Sequence, residues 1–405
     1  MASLVVVDLL AQPYDEASML HAPLGGSQSA VLDTCISLAE QTDTVLFNGV
    51  SHPRTFGRLR IEPQTQITLA ELANARWIVF VSWVTDKGLA QLPLRKGGPK
   101  VALWAHHDMD QQAVQFLARP AGAHAFSRYL FVSRWQRDRY VARFGIAPEA
   151  TSVIGNPYCA RALAAIDPCE KTFDRPRLIY TSTPFRGLSV LADAFPLFRE
   201  TWPDAELSVL SGMELYGSPD NAPYRDLFQK IERTAGMTLF KPSGKLELYR
   251  RLGDANLFTF PSTFPETFCI AALEARVLGN PLLLARLGAL PEIFGGAWFF
   301  DPPAEIGIAP EKWADFMSRA WSEIRDEPAR SDFIARQEQS RRMYSPAAVA
   351  ARLLASLPDA LSTTAPVAVT ISSFEAGPMT AATGYVHDPG REFNIGQAGQ
   401  QRAQQ

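Results

Sequence analysis

The sequence lacks the features that mark several common classes of protein. It has four cysteines in 405 residues, without a C-x-x-C pair or a histidine at ligand spacing, which argues against a disulfide framework or a structural zinc site. Its formal net charge is −3, so it lacks the basic excess of bulk nucleic-acid binders. No apolar run approaches the ~20 residues that span a bilayer. We therefore expect a reducing, cytoplasmic location, with peripheral contact at the inner membrane face left open.

What the sequence does contain is an alternation of short apolar runs with longer segments of helical period. This pattern predicts parallel sheets with crossover helices, and the length fits two α/β domains better than one. The hydrophobic fraction of 47% is enough for a sizeable core. The strands predicted in the two halves are 4–9, 44–47, 77–82, 101–104, 129–132 and 151–154, then 177–181, 206–210, 237–240, 257–260, 282–285 and 297–300.

Changes in composition predict the domain limits. The first domain covers 1–158, a proline-containing linker covers 159–176, and the second domain covers 177–357. The last part, 362–405, is rich in Ala, Thr, Gly and Gln, and we expect it to be disordered because it has too little apolar surface to bury. The first ten residues have no basic region, so they predict a first strand rather than a signal peptide.

The most informative segment runs from Pro261 to Ala275, directly after a predicted buried strand. The pattern predicts a loop and then a helix that begins near Glu266 or Thr267. Ligands of doubly wound sheets bind beyond the carboxyl ends of strands, and the first amides of a helix bind anions. The sequence therefore predicts an anion site formed by the amides of Thr267, Phe268 and Cys269.

Two carboxylates flank these amides, Glu266 and Glu274. On one helix, eight residues correspond to about 12 Å along the axis and ~80° of rotation. That separation suits the two ends of a nucleoside diphosphate sugar, with Glu274 on the ribose hydroxyls and Glu266 on the sugar. Two solvated helix charges are the alternative, and the strand–loop–helix context favours the binding role.

This segment resembles the E-x7-E signature of the retaining glycosyltransferases of the GT-B fold, family four. The resemblance is carried by Pro261-Ser262, Glu266, Phe268, Glu274-Ala275 and Gly279-Asn280-Pro281. It implies two Rossmann-like, doubly wound parallel-sheet domains that face a cleft, the first on the acceptor side and the second binding the nucleotide sugar. Thr267 and Cys269 replace glycines of the family, so side chains stand where backbone usually approaches phosphate.

Other loops match the family in order along the chain. Arg186 corresponds to a cation that binds the donor diphosphate, whereas Thr181 and Ser182 stand where a second cation is often found. The resemblance also places residues of both halves at the donor site: Gly25, Gly26, Ser182, Gly212, Lys241 and Ile270.

A histidine pair follows the predicted strand 101–104. The family has a histidine near the reacting sugar at this point, and His107 is the better match, with His106 as the alternative. The next residues, Asp108-Met109-Asp110, also fit the D-x-D metal motif of GT-A glycosyltransferases. A metal-dependent GT-A enzyme is therefore a competing hypothesis.

The reaction implied by the resemblance is metal-independent transfer of a sugar, with retention of configuration, from a UDP-, GDP- or similar sugar. The acceptor would be a saccharide, a glycolipid or another lipid-linked molecule, without cofactor, bound metal or nucleic acid. His107, Arg186 and Glu266 would act in catalysis. A non-catalytic GT-B protein that binds or scaffolds a partner stays open as a third hypothesis.

Overall fold

The computed structural model describes residues 3–10, 12–84, 88–89, 98–166, 171–216, 221–303, 307–325 and 327–360. The tail predicted over 362–405 lies outside these residues. The chain forms two compact units. Unit 1 contains the chain up to Arg161 and again from Arg342, and unit 2 contains Ala162–Arg341.

Unit 1 is built on a sheet of eight strands in the order β3-β4-β2-β1-β5-β6-β7-β8. All neighbours are parallel except β3 and β4, which pair as an antiparallel hairpin. The bounds are β1 Leu4–Val7, β2 Thr44–Asn48, β3 Arg54–Phe56, β4 Leu59–Pro63, β5 Trp77–Val81, β6 Lys100–Ala105, β7 Arg128–Phe131 and β8 Thr151–Val153. The six strands predicted for this half are confirmed, whereas the edge hairpin β3–β4 was missed.

The helices of unit 1 begin at clear capping signals. Asp15 and Thr68 close capping boxes on α1 and α3, and the Ser133 hydroxyl accepts from the Gln136 amide at the start of α5. The bounds are α1 Glu16–His21, α2 Gly26–Ala39, α3 Leu69–Asn74, α4 Pro120–Ala123, α5 Arg134–Phe144 and, at the boundary with unit 2, α6 Ala160–Ala164. Before α4, the segment Gln112–Ala118 forms a 3-10 helix.

Unit 2 is built on a six-stranded parallel sheet in the order β11-β10-β9-β12-β13-β14. Its bounds are β9 Arg177–Thr181, β10 Glu206–Leu210, β11 Met237–Phe240, β12 Leu257–Phe260, β13 Leu282–Ala285 and β14 Trp298–Phe300. These strands agree with the prediction to within one residue, because each is a short apolar run. Since all of them are parallel, their carboxyl ends lie along one edge of the sheet.

The helices that follow these strands are α7 Leu188–Thr201, α8 Arg225–Arg233, α9 Lys245–Asp254, α10 Ile270–Val277 and α11 Leu290–Ile293. After the last strand come three helices, α12 Pro310–Ile324, α13 Glu327–Met343 and α14 Pro346–Ser356. Ser345 caps α14 and Pro346 occupies its first position, which explains the break between α13 and α14. Helix α14 packs on α2, so the end of the predicted second domain, 177–357, belongs to unit 1.

The helix expected to begin near Glu266 or Thr267 begins at Ile270 instead. The reason is Cys269, whose φ of 72° lies in the left-handed region and prevents a right-handed helix from including the residues before it. Glu266 and Glu274 therefore do not lie on one helix, and the 12 Å axial separation expected between them does not apply.

Candidate active site

Two glycines allow three loops at the carboxyl edge of the unit 2 sheet to come together. Gly187, after β9, has a φ of 86°, and a Cβ there would lie 1.8 Å from the carbonyl oxygen of Pro261 after β12. Gly288, after β13, has a φ of 58°, and its Cβ would lie 2.4 Å from the carbonyl oxygen of Glu266. The Ala289 amide donates to that oxygen at 2.8 Å. Glycine at both positions therefore fixes the backbone that carries Glu266.

The structure brings together two residues predicted for catalysis, Arg186 and Glu266. The Arg186 Nη1 lies 2.6 Å from the Glu266 Oε1, and the two side chains are 15% and 5% exposed. The guanidinium also lies 5.2 Å from the centre of the Phe264 ring. Burial raises the pKa of Glu266, and the Arg186 charge opposes that rise. The pair is thus a fixed, partly desolvated charge pair at adjacent strand ends.

A second buried pair involves the other predicted carboxylate, Glu274. The Lys245 Nζ lies 2.6 Å from its Oε1, and the Tyr249 hydroxyl donates to the same oxygen at 3.2 Å. Glu274 is 2% exposed and Lys245 is 6% exposed. The interpretation of the two glutamates as solvated helix charges is therefore wrong.

The start of α10 presents backbone donors beside these carboxylates. With Cys269 as N-cap, the amides without an intrahelical acceptor are those of Cys269, Ile270 and the two residues after them. Thr267 lies before the helix, and so does Phe268, whose side chain is 1% exposed and packs against the Phe294 ring. Cys269 and Ile270 thus keep the predicted place at the helix mouth, whereas Thr267 and Phe268 are not helix-terminal donors.

Buried hydroxyls line the same edge of the sheet. Within the part of the chain that the structure describes, no hydrogen-bond partner reaches the hydroxyls of Thr181, Thr183, Ser211 or Ser243. Thr181 is the last residue of β9, and the other three lie in the loops after β9, β10 and β11. Buried polar groups without a protein partner are unusual, and a polar ligand is one explanation. The sequence placed only the neighbouring Ser182 and Gly212 at the donor site.

The loops after β10 and β11 approach each other closely. A Cβ on Gly212 would lie 2.9 Å from Pro242, so this glycine permits the contact. Lys241, predicted at the donor site, precedes Pro242 and is exposed. In unit 1, Gly25 is the N-cap of α2 and Gly26 is its first residue, and α1 lies between them and the end of β1 at Val7. Of the predicted glycines, Gly212 therefore lies in the loop after β10, whereas Gly25 and Gly26 lie at the start of a helix that follows another helix.

The two histidines lie at the carboxyl end of β6, and each is 8% exposed. Burial lowers the pKa of His106 to about 3 and that of His107 to about 4. Gln136 and Tyr140 of α5 donate to the His107 carbonyl at 2.7 and 2.8 Å. Both imidazoles are therefore neutral near pH 7, in a backbone position held by α5.

Asp108 is already bound by another residue. Arg139 donates to both of its carboxylate oxygens at 2.9 Å, and the side chain of Asp108 is 1% exposed. Asp110 is exposed. Among the described residues there is no group of three His, Cys, Asp or Glu side chains arranged to hold a metal ion. The bidentate pair gives Asp108 a structural role at this turn.

Part of the chain is similar in sequence to a known glycosyltransferase. The D-inositol 3-phosphate glycosyltransferase of Corynebacterium glutamicum (strain R) is 28% identical over 188 residues, which are 44% of this chain and 41% of that protein. The chain therefore matches less than half the length of this relative. No family model matches the chain.

Solved structures resemble the whole fold. A glycosyltransferase from Rickettsia africae ESF-5 has a TM-score of 0.63 at 11% identity, covering 90% of this chain and 100% of its own. Anabaena Alr3699/HepE, solved with UDP, has a TM-score of 0.63 at 12% identity, covering 88% and 99%. WaaG, a glycosyltransferase involved in lipopolysaccharide biosynthesis, has a TM-score of 0.57 at 12% identity, covering 89% and 100%.

Together, these similarities and the two sheets establish the fold class. The chain has the GT-B architecture of two parallel-sheet α/β domains, as the sequence predicted. No helix in the described ranges is both long and apolar enough to cross a membrane.

Proposed function

We propose that this protein is a glycosyltransferase that moves a sugar from a nucleoside diphosphate sugar to a saccharide, glycolipid or other lipid-linked acceptor. Unit 2 binds the donor and unit 1 the acceptor, in the cytoplasm or at the inner face of the membrane. The observation that carries the proposal is the Arg186–Glu266 pair, held beside the amides at the start of α10. Such a site supplies cationic groups and backbone donors for a diphosphate.

The remaining oxygens of the two carboxylates define what else the site binds. Every described donor to the side chains of Glu266 and Glu274 contacts Oε1, so Oε2 of each remains for a ligand. A carboxylate oxygen only accepts hydrogen bonds, so a ligand hydroxyl suits each position. We assign Glu266 to the sugar and Glu274 to the ribose of the donor.

The chemistry that we propose is retaining and independent of metal. Arg186 and the α10 amides stabilise the charge that develops on the departing diphosphate, and the diphosphate accepts the proton of the acceptor hydroxyl. His107, a neutral imidazole at a strand end of unit 1, hydrogen-bonds the reacting sugar or the acceptor. Similarity to a D-inositol 3-phosphate glycosyltransferase and to a structure with bound UDP supports the reaction class.

A ligand screen by thermal shift tests this proposal. UDP, GDP, ADP and their sugars are each added at millimolar concentration, with magnesium or with EDTA. A ligand that binds only the native state raises the melting temperature. We expect one nucleotide series to raise it equally in both conditions, and the matching nucleotide sugar to be consumed when acceptors are supplied.

Each contrary result of the screen has a defined meaning. A shift that requires magnesium would contradict metal independence and favour a metal-dependent transferase. A shift without any turnover, unchanged in Glu266→Ala, would favour a non-catalytic binding protein. The absence of a shift with every nucleotide would overturn the proposal.

A further inference from the structure

Glu274 belongs to a cluster of three side chains that the sequence pattern did not reveal. Lys245 and Tyr249 lie four residues apart on α9, so they project from the same face of that helix. Both contact Oε1 of Glu274, which comes from α10. Tyr249 is fully buried and Lys245 nearly so. The carboxylate is thus held by a cation and a hydroxyl from a neighbouring helix.

Stability alone is a poor explanation for this cluster. Removing two charges from water has a large cost, and well-packed apolar residues in place of a buried ion pair are often as stable or more so. A buried ion pair is better explained where it holds one of its groups in the orientation that a ligand requires. Here the two α9 side chains occupy one carboxylate oxygen and thereby fix the direction of the other.

The remaining oxygen limits the chemistry of the ligand. Oε2 of Glu274 accepts but cannot donate, so it repels a phosphate and attracts a hydroxyl. Glu274 is the fifth residue of α10, about 6 Å along the axis from the first. A group that binds there lies one helical turn away from the amides that suit a diphosphate, which is the relation between ribose and phosphate in a nucleotide.

We propose that Lys245 and Tyr249 are positioning residues that orient Glu274 toward the ribose hydroxyls of the donor, and so make the protein selective for ribonucleotides over deoxyribonucleotides. The inference rests on the proposed function, because it assumes that unit 2 binds a nucleoside diphosphate. It adds a specificity that depends on α9 as well as on the glutamate itself.

The test compares each nucleotide with its deoxy form by calorimetry. UDP, GDP and ADP are titrated into the wild-type protein, followed by the 2′-deoxy and 3′-deoxy forms of the one that binds. A hydrogen bond to a charged group corresponds to a loss of about 10- to 100-fold in affinity when the ligand hydroxyl is removed. We expect a loss of this size for at least one deoxy form.

Variants of α9 then separate positioning from bulk structure. In Lys245→Met and Tyr249→Phe the ratio of ribo to deoxy affinity should fall, to below about threefold for Lys245→Met, because Glu274 is no longer held. Arg250→Met is the matched control, since Arg250 is an exposed residue of the same helix in a surface pair with Glu247. It should keep the wild-type ratio.

Folding defects do not obscure the result. If Lys245→Met does not fold because Glu274 is left as an unpaired buried charge, Tyr249→Phe keeps the charge pair and still tests the ratio. A double variant, Lys245→Met with Glu274→Leu, removes both charges and should lose the discrimination while it still binds the diphosphate. An unchanged ratio in folded Lys245→Met or in Tyr249→Phe would overturn the inference. Failure of every nucleotide to bind the wild-type protein would instead refute the proposed function.

Discussion

The buried carboxylates near the carboxyl edges of the two sheets have different kinds of partner in the two units. In unit 2, Glu266 in the loop after β12 and Glu274 in α10 each pair with a cation through Oε1. In unit 1, the donors to the Asp8 carboxylate among the described residues are the Leu10 amide and the Tyr14 hydroxyl, both neutral. Burial raises the pKa of Asp8 to about 6.

The other polar groups at the strand ends of unit 1 also differ from those of unit 2. His106 and His107 are neutral near pH 7, and Asp108 has both oxygens occupied by Arg139. In unit 2, by contrast, the Arg186 guanidinium lies in the loop after β9, and a cation there suits an anionic ligand. This contrast supports the proposal that unit 2 binds the charged diphosphate and that unit 1 binds a neutral, hydroxyl-bearing ligand.

Among the substitutions that test this difference between the units, Arg186→Ala should have the largest effect on ligand affinity. Loss of the guanidinium removes charged hydrogen bonds worth about 1.5–3 kcal/mol, so the affinity for the nucleoside diphosphate should fall by about 100-fold. The affinity for the nucleoside alone should change by less than about twofold. Both constants are measured by calorimetry with the nucleotide found in the thermal-shift screen.

Two controls accompany this variant. Arg137→Ala removes a half-buried arginine of unit 1 that pairs with the exposed Asp138, and it should leave both affinities unchanged. The double variant Arg186→Met with Glu266→Gln avoids an unpaired buried carboxylate and should retain the same selective loss. Equal losses for nucleoside and nucleoside diphosphate would remove Arg186 from the phosphate site.

The second effect concerns the pH dependence of unit 1. Because folding raises the pKa of Asp8 from 3.8 to about 6, the folded state holds this proton more tightly than the unfolded state. The free energy of unfolding therefore decreases as the pH rises from about 4 to 6, and it stays reduced above that range. Asp8→Asn should stabilise unit 1 at pH 7.5 by on the order of 2 kcal/mol, with little gain at pH 4.

The buried histidines His106 and His107 give the stability of unit 1 a pH dependence of the opposite sign. Their folded pKa values of about 3 and 4 lie below the ordinary 6.5, so the stability that they contribute is lost as the pH falls from 6.5 toward 4. Asp8→Asn should therefore make acid destabilisation of unit 1 steeper. Hydrogen exchange of the β1 peptide measures the stability of unit 1 at each pH. Asp204→Asn, which changes an exposed aspartate of unit 2, is the control. An equal gain at both pH values would contradict the assignment.

The sequence predicted the sheets more reliably than the site. Buried parallel strands are continuous apolar runs, so the strands of unit 2 could be located almost to the residue. The β3–β4 hairpin was missed because it lies at the edge of the sheet. Its strands there carry polar residues, such as Arg54 and Glu62, and so they are not continuous apolar runs. Glu266, Glu274 and Arg186 could be found from their resemblance to a known motif.

The partners of those residues could not be predicted in the same way. Lys245 and Glu274 are 29 residues apart in the chain, and only the packing of α9 on α10 brings them together. The start of α10 was misplaced for a related reason. The left-handed conformation of Cys269 is imposed by its surroundings, whereas the local pattern gives no reason to end the helix there.

The smallest effect should come from Cys269→Gly, which has a matched control in unit 1. Cys269 and Ser82 both have left-handed φ values, 72° and 65°. Glycine relieves the left-handed penalty but adds freedom to the unfolded chain, so each change should stabilise its own unit by about 0.5–1 kcal/mol. Differential scanning calorimetry measures both gains.

The two substitutions should differ only in their effect on the ligand. Cys269 is the N-cap of α10, where a glycine would let the backbone approach a phosphate more closely, so Cys269→Gly should tighten diphosphate binding by about two- to fivefold. Ser82→Gly should leave that affinity unchanged, because Ser82 lies at the end of β5 in unit 1. Weaker diphosphate binding in Cys269→Gly would contradict this expectation and would mean that the Cys269 side chain helps to hold the backbone of the anion site in place.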